Sequence, residues 1–69
     1  MQKETGVVLK FDVSKGYGTI VDTKGVQHFV HYTDLEAGTT LTPKQNVSFL
    51  PRVGPSGPYA VEVQTSLHQ

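Results

Sequence analysis

Lys15-Gly16-Tyr17-Gly18-Thr19-Ile20, KGYGTI, sets one tyrosine between two glycines and passes directly into β-branched residues. Read as a strand with period-2 alternation, an inward Ile20 requires an inward Gly18 and sends Tyr17, Thr19 and Val21 to the opposite, wet face. The stretch therefore presents an aromatic ring to solvent, and the rest of the chain has to explain why.

On either side of KGYGTI lie turn signals. Asp12-Val13-Ser14-Lys15-Gly16 precedes it, and Asp22-Thr23-Lys24-Gly25 follows it with a glycine available for positive φ, so the flanking runs fold back as hairpins. Further out, apolar residues recur in short runs rich in Val, Phe, Tyr and Thr, each closed by Gly, Pro, Asp or Ser. Five strands follow: 5–13, 17–23, 26–32, 45–51 and 59–65, the first three forming a meander. Thr33 to Lys44 lacks alternation and reads as a crossing loop, and Val53 to Pro58, VGPSGP, reads as a second, flexible loop. Pro51 removes a ladder donor and marks a strand end or an edge.

At 69 residues the chain makes one domain, over 1–69, burying only about 60% of its unfolded surface. With no cysteine, neither a disulfide nor a thiolate metal site holds it together. A flat five-stranded sheet of this size leaves a face and two edges exposed, whereas curling it into a barrel shelters both. The expected fold is all-β, a five-stranded antiparallel barrel. Glycines 6, 16 and 18 supply its bulges and bends, and its core is Val8, Ile20, Val30, Leu41, Val47, Phe49, Val61 and Val63.

Six Lys plus Arg balance six Asp plus Glu, so no global field advertises a polyanionic or membrane partner, and any such site is local. No apolar run reaches the length of a membrane span or a signal-peptide core, which gives a cytoplasmic expectation and no membrane partner. An inward Val30 in His28-Phe29-Val30-His31-Tyr32 leaves Phe29 and His31 outward beside Tyr17. Such rings serve either as cross-strand pairs that stabilise the sheet or, flanked by lysines, as a surface for stacking unpaired bases.

GVVLKF, KGYGTI and HFVHYTDL, in that order and spacing, resemble the cold-shock domain, and VSF (47–49) and GPYAVEV (57–63) extend the likeness over roughly residues 5 to 66. The resemblance implies an oligonucleotide-binding (OB-fold) barrel that takes single-stranded RNA or DNA across its first three strands and influences transcription or translation as an RNA chaperone. By position it implies Phe11, Tyr17, Phe29, His31 and Tyr32 as stacking residues and Lys15 near phosphate. The chain departs from the family where a tryptophan usually precedes Phe11, here Lys10, and where the motif has its second phenylalanine, here Thr19. Two lost rings are worth about 2–6 kcal/mol if additive. Lys10 offers a phosphate contact in partial exchange, and Tyr59 either adds a ring from another direction or packs over the barrel end.

His28 stands where the family usually has an inward valine, as a partly buried, hydrogen-bonded histidine or a displaced surface ring. His28 and His31 lie on alternate faces and cannot share a metal, so no metal or other cofactor is expected. Asp12, Asp22 and Asp34 sit in turns, where carboxylates accept backbone hydrogen bonds. Arg52, Lys24 and Lys44 read as scattered loop charges. No serine or threonine pairs with a histidine and an orienting acid, and a barrel this small has no deep pocket, so neither catalysis nor a small-molecule substrate is expected. The expected state is a monomer, with a dimer as the alternative. The rival function is a diverged module using Phe29, Tyr17 and Tyr32 as an apolar contact for a protein partner.

Overall fold

The computed structural model describes residues 3–36 and 39–65. Five strands, β1 (Glu4–Asp12), β2 (Tyr17–Asp22), β3 (Gln27–His31), β4 (Asn46–Gly54) and β5 (Gly57–Thr65), close into a barrel in the order β1-β2-β3-β5-β4, with β4 returning to β1. Four junctions are antiparallel. The fifth, β3 to β5, is parallel and paired at Phe29 and Tyr59, because the crossing segment carries the chain over the barrel end before β4 and β5 begin. The expected barrel thus forms, with this one departure from an all-antiparallel sheet. No helix among the described residues is long and apolar enough to cross a membrane.

Inward alternation builds one core from Val8, Ile20, Val30, Leu41, Val47, Phe49, Ala60 and Val63, with Phe11 and Leu35 packed against it. Burying Phe49, the largest wholly enclosed side chain, contributes about 1.5–3 kcal/mol. Val61, expected inside, is only half-buried, and Ala60 and Leu50 are buried instead. A bulge causes the change. Leu50 pairs with Val61 and Ser48 with Gln64, so β5 spends three steps where β4 spends two, and Glu62 takes the left-handed conformation at φ 52°.

The stretch 53–58 is not a flexible loop but the tip of the β4–β5 hairpin. Gly54 pairs with Gly57 around a two-residue connection, Pro55-Ser56. Proline's fixed φ excludes the primed turns usual at such tips, and Gly57, at φ 115°, takes up the backbone twist. Nor does Pro51 end its strand at an edge, since β4 runs on to Gly54 and Pro51 faces Ala60 inside the closed sheet. The crossing segment begins as a single 3-10 turn, Tyr32–Asp34, and Leu35 bridges to Val63.

A second bulge, on β1, decides which side chains reach the outer surface. Val8 pairs with Ile20, yet the next pair is Lys10 with Thr19, so Leu9 is the extra residue. Strict alternation from Val8 would turn Lys10 inward and Phe11 outward. The inserted residue reverses both.

Candidate nucleic-acid interface

Lys10 pairs with Thr19, Thr19 with Phe29 and Phe29 with Tyr59, which aligns these four residues in one cross-strand row. Two residues along, Asp12 pairs with Tyr17 and Tyr17 with His31. Directly paired residues share a face of the sheet, so both rows look outward. Phe29 is 49% exposed and Tyr17 39%. Their ring centroids are 5.5 Å apart and their planes differ by 30°, a tilted arrangement within the favourable distance range for aromatic pairs.

A second pair adjoins the first. The His31 and Tyr32 rings lie 4.7 Å apart at 39°, and Tyr32 is 59% exposed. Thr33 holds the imidazole: its N–H donates to His31 Nδ1 at 3.4 Å and its hydroxyl lies 3.0 Å from the same nitrogen. Tyr32 is seated over Gly16. Its N–H donates to the Gly16 carbonyl at 2.8 Å, and a Cβ on Gly16 would fall 2.8 Å from the tyrosine ring. Gly16 also has φ 80°, so the first glycine of KGYGTI is required twice over, by the turn and by the ring above it.

Lys15 is exposed in the β1–β2 turn, close in sequence to Tyr17. Asp12 organises that turn. Its Oδ1 accepts from the Ser14 hydroxyl at 2.7 Å, the Ser14 N–H at 3.0 Å and the Lys15 N–H at 3.1 Å. The Ser14 hydroxyl first, then the Lys15 amide, hold the Asp12 carboxyl below its ordinary pKa. Among the described residues neither Lys10 nor Lys15 is engaged in an ion pair, which leaves both ammonium groups available to an anion.

Phe11 is the exception among the sequence candidates. It pairs with the buried Gly18 and packs, half-buried, against the core, so it stands apart from the outward rings. Gly18 makes this possible: a Cβ there would lie 2.2 Å from the Lys10 carbonyl oxygen and 2.6 Å from Phe11 Cα. Tyr59, half-buried, sits on β5 beside Phe29.

His28 is buried, at 5% exposure, with Nε2 2.9 Å from Asp22 Oδ2 and its ring 4.9 Å from that of Phe49. Asp22 does more than cap a turn. Its Oδ1 accepts the Lys24 and Val26 N–H groups at 2.8 and 2.9 Å while Oδ2 meets His28. The His28 contact, then these amides, lower its carboxyl pKa. Glu4 joins them: one ligand atom each from Glu4, Asp22 and His28 lie within 4.8 Å of one another, a grouping that keeps His28 but not the His31 weighed with it above. A carboxylate at the head of one hairpin strand and an imidazole six residues on were the available signal.

Over residues 4–66 the chain matches the 'Cold-shock' DNA-binding domain. It belongs to the cold-shock domain family. It is 41% identical over 64 residues to the cold shock-like protein CspA of Bordetella pertussis, covering 88% of this chain and 96% of that protein. The cold shock-like protein CspI of Escherichia coli is likewise 41% identical over 64 residues, covering 88% and 91%. Among solved structures, Drosophila Unr CSD456 superposes with a TM-score of 0.77 at 16% identity, covering 96% of this chain, which spans 27% of that one, and this shows the shared barrel alone. The molecule is thus a cold-shock-like protein of a nucleic-acid-binding family, and its outward rings lie on the strands that carry the family's two motifs.

Proposed function

We propose that this cold-shock-like barrel binds single-stranded RNA or DNA across β1, β2 and β3, stacking successive bases on Tyr17, Phe29, His31 and Tyr32. The observation that carries the reading is the exposed Tyr17–Phe29 pair, two rings 5.5 Å apart on the face that Lys10 shares, with neither Lys10 nor Lys15 in an ion pair among the described residues. Every base offers a π-face, so stacking on such rings tolerates sequence and contributes about 1–3 kcal/mol per base. Lys10 and Lys15 meet phosphates, Phe11 contributes only what its half-buried edge leaves accessible, and Tyr59 extends the ring surface toward β5.

Binding of open strands alone shifts a duplex equilibrium toward them by mass action. The corresponding role is that of a monomeric, non-catalytic RNA chaperone of the cytoplasm, affecting transcription or translation. Fluorescence anisotropy with labelled heptathymidine and heptauridine at two salt concentrations tests it, comparing wild type with Phe29→Ala. Saturable binding that weakens with salt, and by tenfold or more in the variant, is expected. No saturation at tens of micromolar in low salt overturns the reading and turns attention to a protein partner for the same rings.

A further inference from the structure

Glu4 on β1, Asp22 at the end of β2 and His28 near the start of β3 meet at one end of the barrel, opposite the end at which Tyr17 pairs with His31. Register explains the meeting. Glu4 pairs with Phe49 and Gly6 with Asp22, and directly paired residues share a face, so Glu4 follows the buried Phe49 to the inner side of the sheet and lies diagonally across from Asp22. Gly6 stands beside both without a side chain. The His28 ring, 4.9 Å from that of Phe49, completes the group from the third strand.

Two of the three are short of partners. Glu4 is half-buried and faces a second carboxylate, yet among the described residues it makes no ion pair. The His28 side chain is only 6% exposed, and its Nδ1 is buried with no hydrogen-bond partner, so its one polar contact, from Nε2, is aimed at the carboxylates. Two carboxylates this close repel, and a single neutral imidazole does not offset their charge. A cleft of about 630 Å³ leads from the group to solvent; Lys24 and Arg52 also line it, but among the described residues neither forms an ion pair with Glu4 or Asp22.

We propose that this group is a binding site for a divalent transition-metal ion of the zinc, cobalt or nickel type, held by the Glu4 carboxylate, Asp22 Oδ2 and His28 Nε2. The donor set selects the class, because an imidazole beside two carboxylates suits these ions, whereas calcium and magnesium take oxygen ligands. Distance agrees. Two ligand atoms each about 2.1 Å from one ion lie about 3.0–3.4 Å apart at octahedral or tetrahedral angles. The 2.9 Å between Asp22 Oδ2 and His28 Nε2 is close to that separation, and a rotamer change brings the longer Glu4 side chain in. Asp22 Oδ1 keeps the Lys24 and Val26 amides, which fix the ligating carboxylate from behind. Against a carboxylate, neutral His28 carries its proton on Nε2, and metal binding transfers that proton to Nδ1. Leaving this N–H buried without an acceptor holds the affinity to the micromolar range. Alternation denies His31 to this ion, but the hairpin register supplies Asp22 and the β1–β4 pairing supplies Glu4. The bound ion ties three strands together and stabilises the barrel by mass action.

Calorimetric titrations with zinc chloride and with magnesium chloride, alongside thermal melts, test the site. Wild type is expected to take up zinc saturably with one-to-one stoichiometry, to gain several degrees in Tm, and to ignore magnesium. Glu4→Gln and His28→Val are each expected to weaken zinc binding at least tenfold, and His31→Ala, which removes an outward imidazole, to leave it unchanged. Metal-free melts check that the variants fold, and Glu4→Gln decides if His28→Val does not. Ring ¹⁵N spectra read the ligand directly, with the His28 proton moving from Nε2 to Nδ1 as zinc is added. No saturable binding at hundreds of micromolar zinc overturns the site. So does zinc uptake that survives Glu4→Gln or disappears with His31→Ala, which is surface chelation only. None of these outcomes touches the single-strand reading, since the outward rings take no part in the site.

Discussion

Asp22 Oδ2 and His28 Nε2 meet at 2.9 Å inside the barrel, each side chain only 6% exposed, and tie the end of β2 to the start of β3. The contact fastens the hairpin whose other end carries the Tyr17–His31 pair. Because His28, with the Lys24 and Val26 amides, lowers the carboxyl pKa in the folded state, the unfolded chain takes up the proton more readily. Asp22 therefore adds stability that is fully present above its ordinary value of 3.8 and is lost as pH falls from there through the lower folded value. Thermal melts of wild type and Asp22→Asn should differ most near neutrality and converge as pH drops below 3.8. A gap that stays constant over that range contradicts the assignment.

Gly18 and Gly25 separate two reasons for having glycine. A Cβ at Gly18 would meet the Lys10 carbonyl at 2.2 Å, backbone that cannot swing aside, whereas at Gly25, with φ 87°, nothing lies within 4 Å. Gly18→Ala should cost about 3 kcal/mol or more, and Gly25→Ala only the left-handed penalty of about 1–2 kcal/mol. Urea titrations measure both. Equal losses would mean that the β1–β2 contact is looser than its geometry.

Restoring lost rings gives the binding surface a gain-of-function test. Thr19 lies between Lys10 and Phe29 in the outward row, so Thr19→Phe should place a third ring beside the Tyr17–Phe29 pair. One more stacked base is worth about 1–3 kcal/mol, or roughly five- to 150-fold in affinity. Lys10→Trp should also tighten binding while lowering the salt slope by about 0.7, because it exchanges a phosphate contact for a ring. Anisotropy titrations over a salt series separate the two effects, and no gain from either variant would count against the row as the path of the strand.

The sequence disclosed whatever depends on alternation and turn chemistry. Ile20, Val30, Val47 and Phe49 face inward, Tyr17 and Phe29 outward, and Asp12 and Asp22 cap their hairpins, because period 2 and carboxylate capping are local properties. What it hid lies where one residue is inserted. Leu9 on β1 turns Lys10 out and Phe11 in, and Glu62 on β5 exchanges Val61 for Ala60 in the core. Neither position is a glycine, so composition gave no sign of either bulge. The Asp22–His28 pair was half-visible, as a capping aspartate and a misplaced polar residue whose meeting requires the hairpin register.

Glu62 offers the last test, of the β5 bulge itself. Its φ of 52° is left-handed, a conformation that costs a residue with a Cβ about 1–2 kcal/mol and that asparagine tolerates better. Its side chain is exposed, and Lys3 Nζ donates at 3.1 Å to its backbone carbonyl, which substitution retains. Glu62→Asn should therefore raise stability by about 0.5–1 kcal/mol, and Glu62→Gly by less, because glycine also enlarges the entropy of the unfolded chain. In a domain of marginal stability that gain is large enough to read from a urea midpoint. Destabilisation by both variants would mean that the carboxylate makes a contact that outweighs the backbone strain.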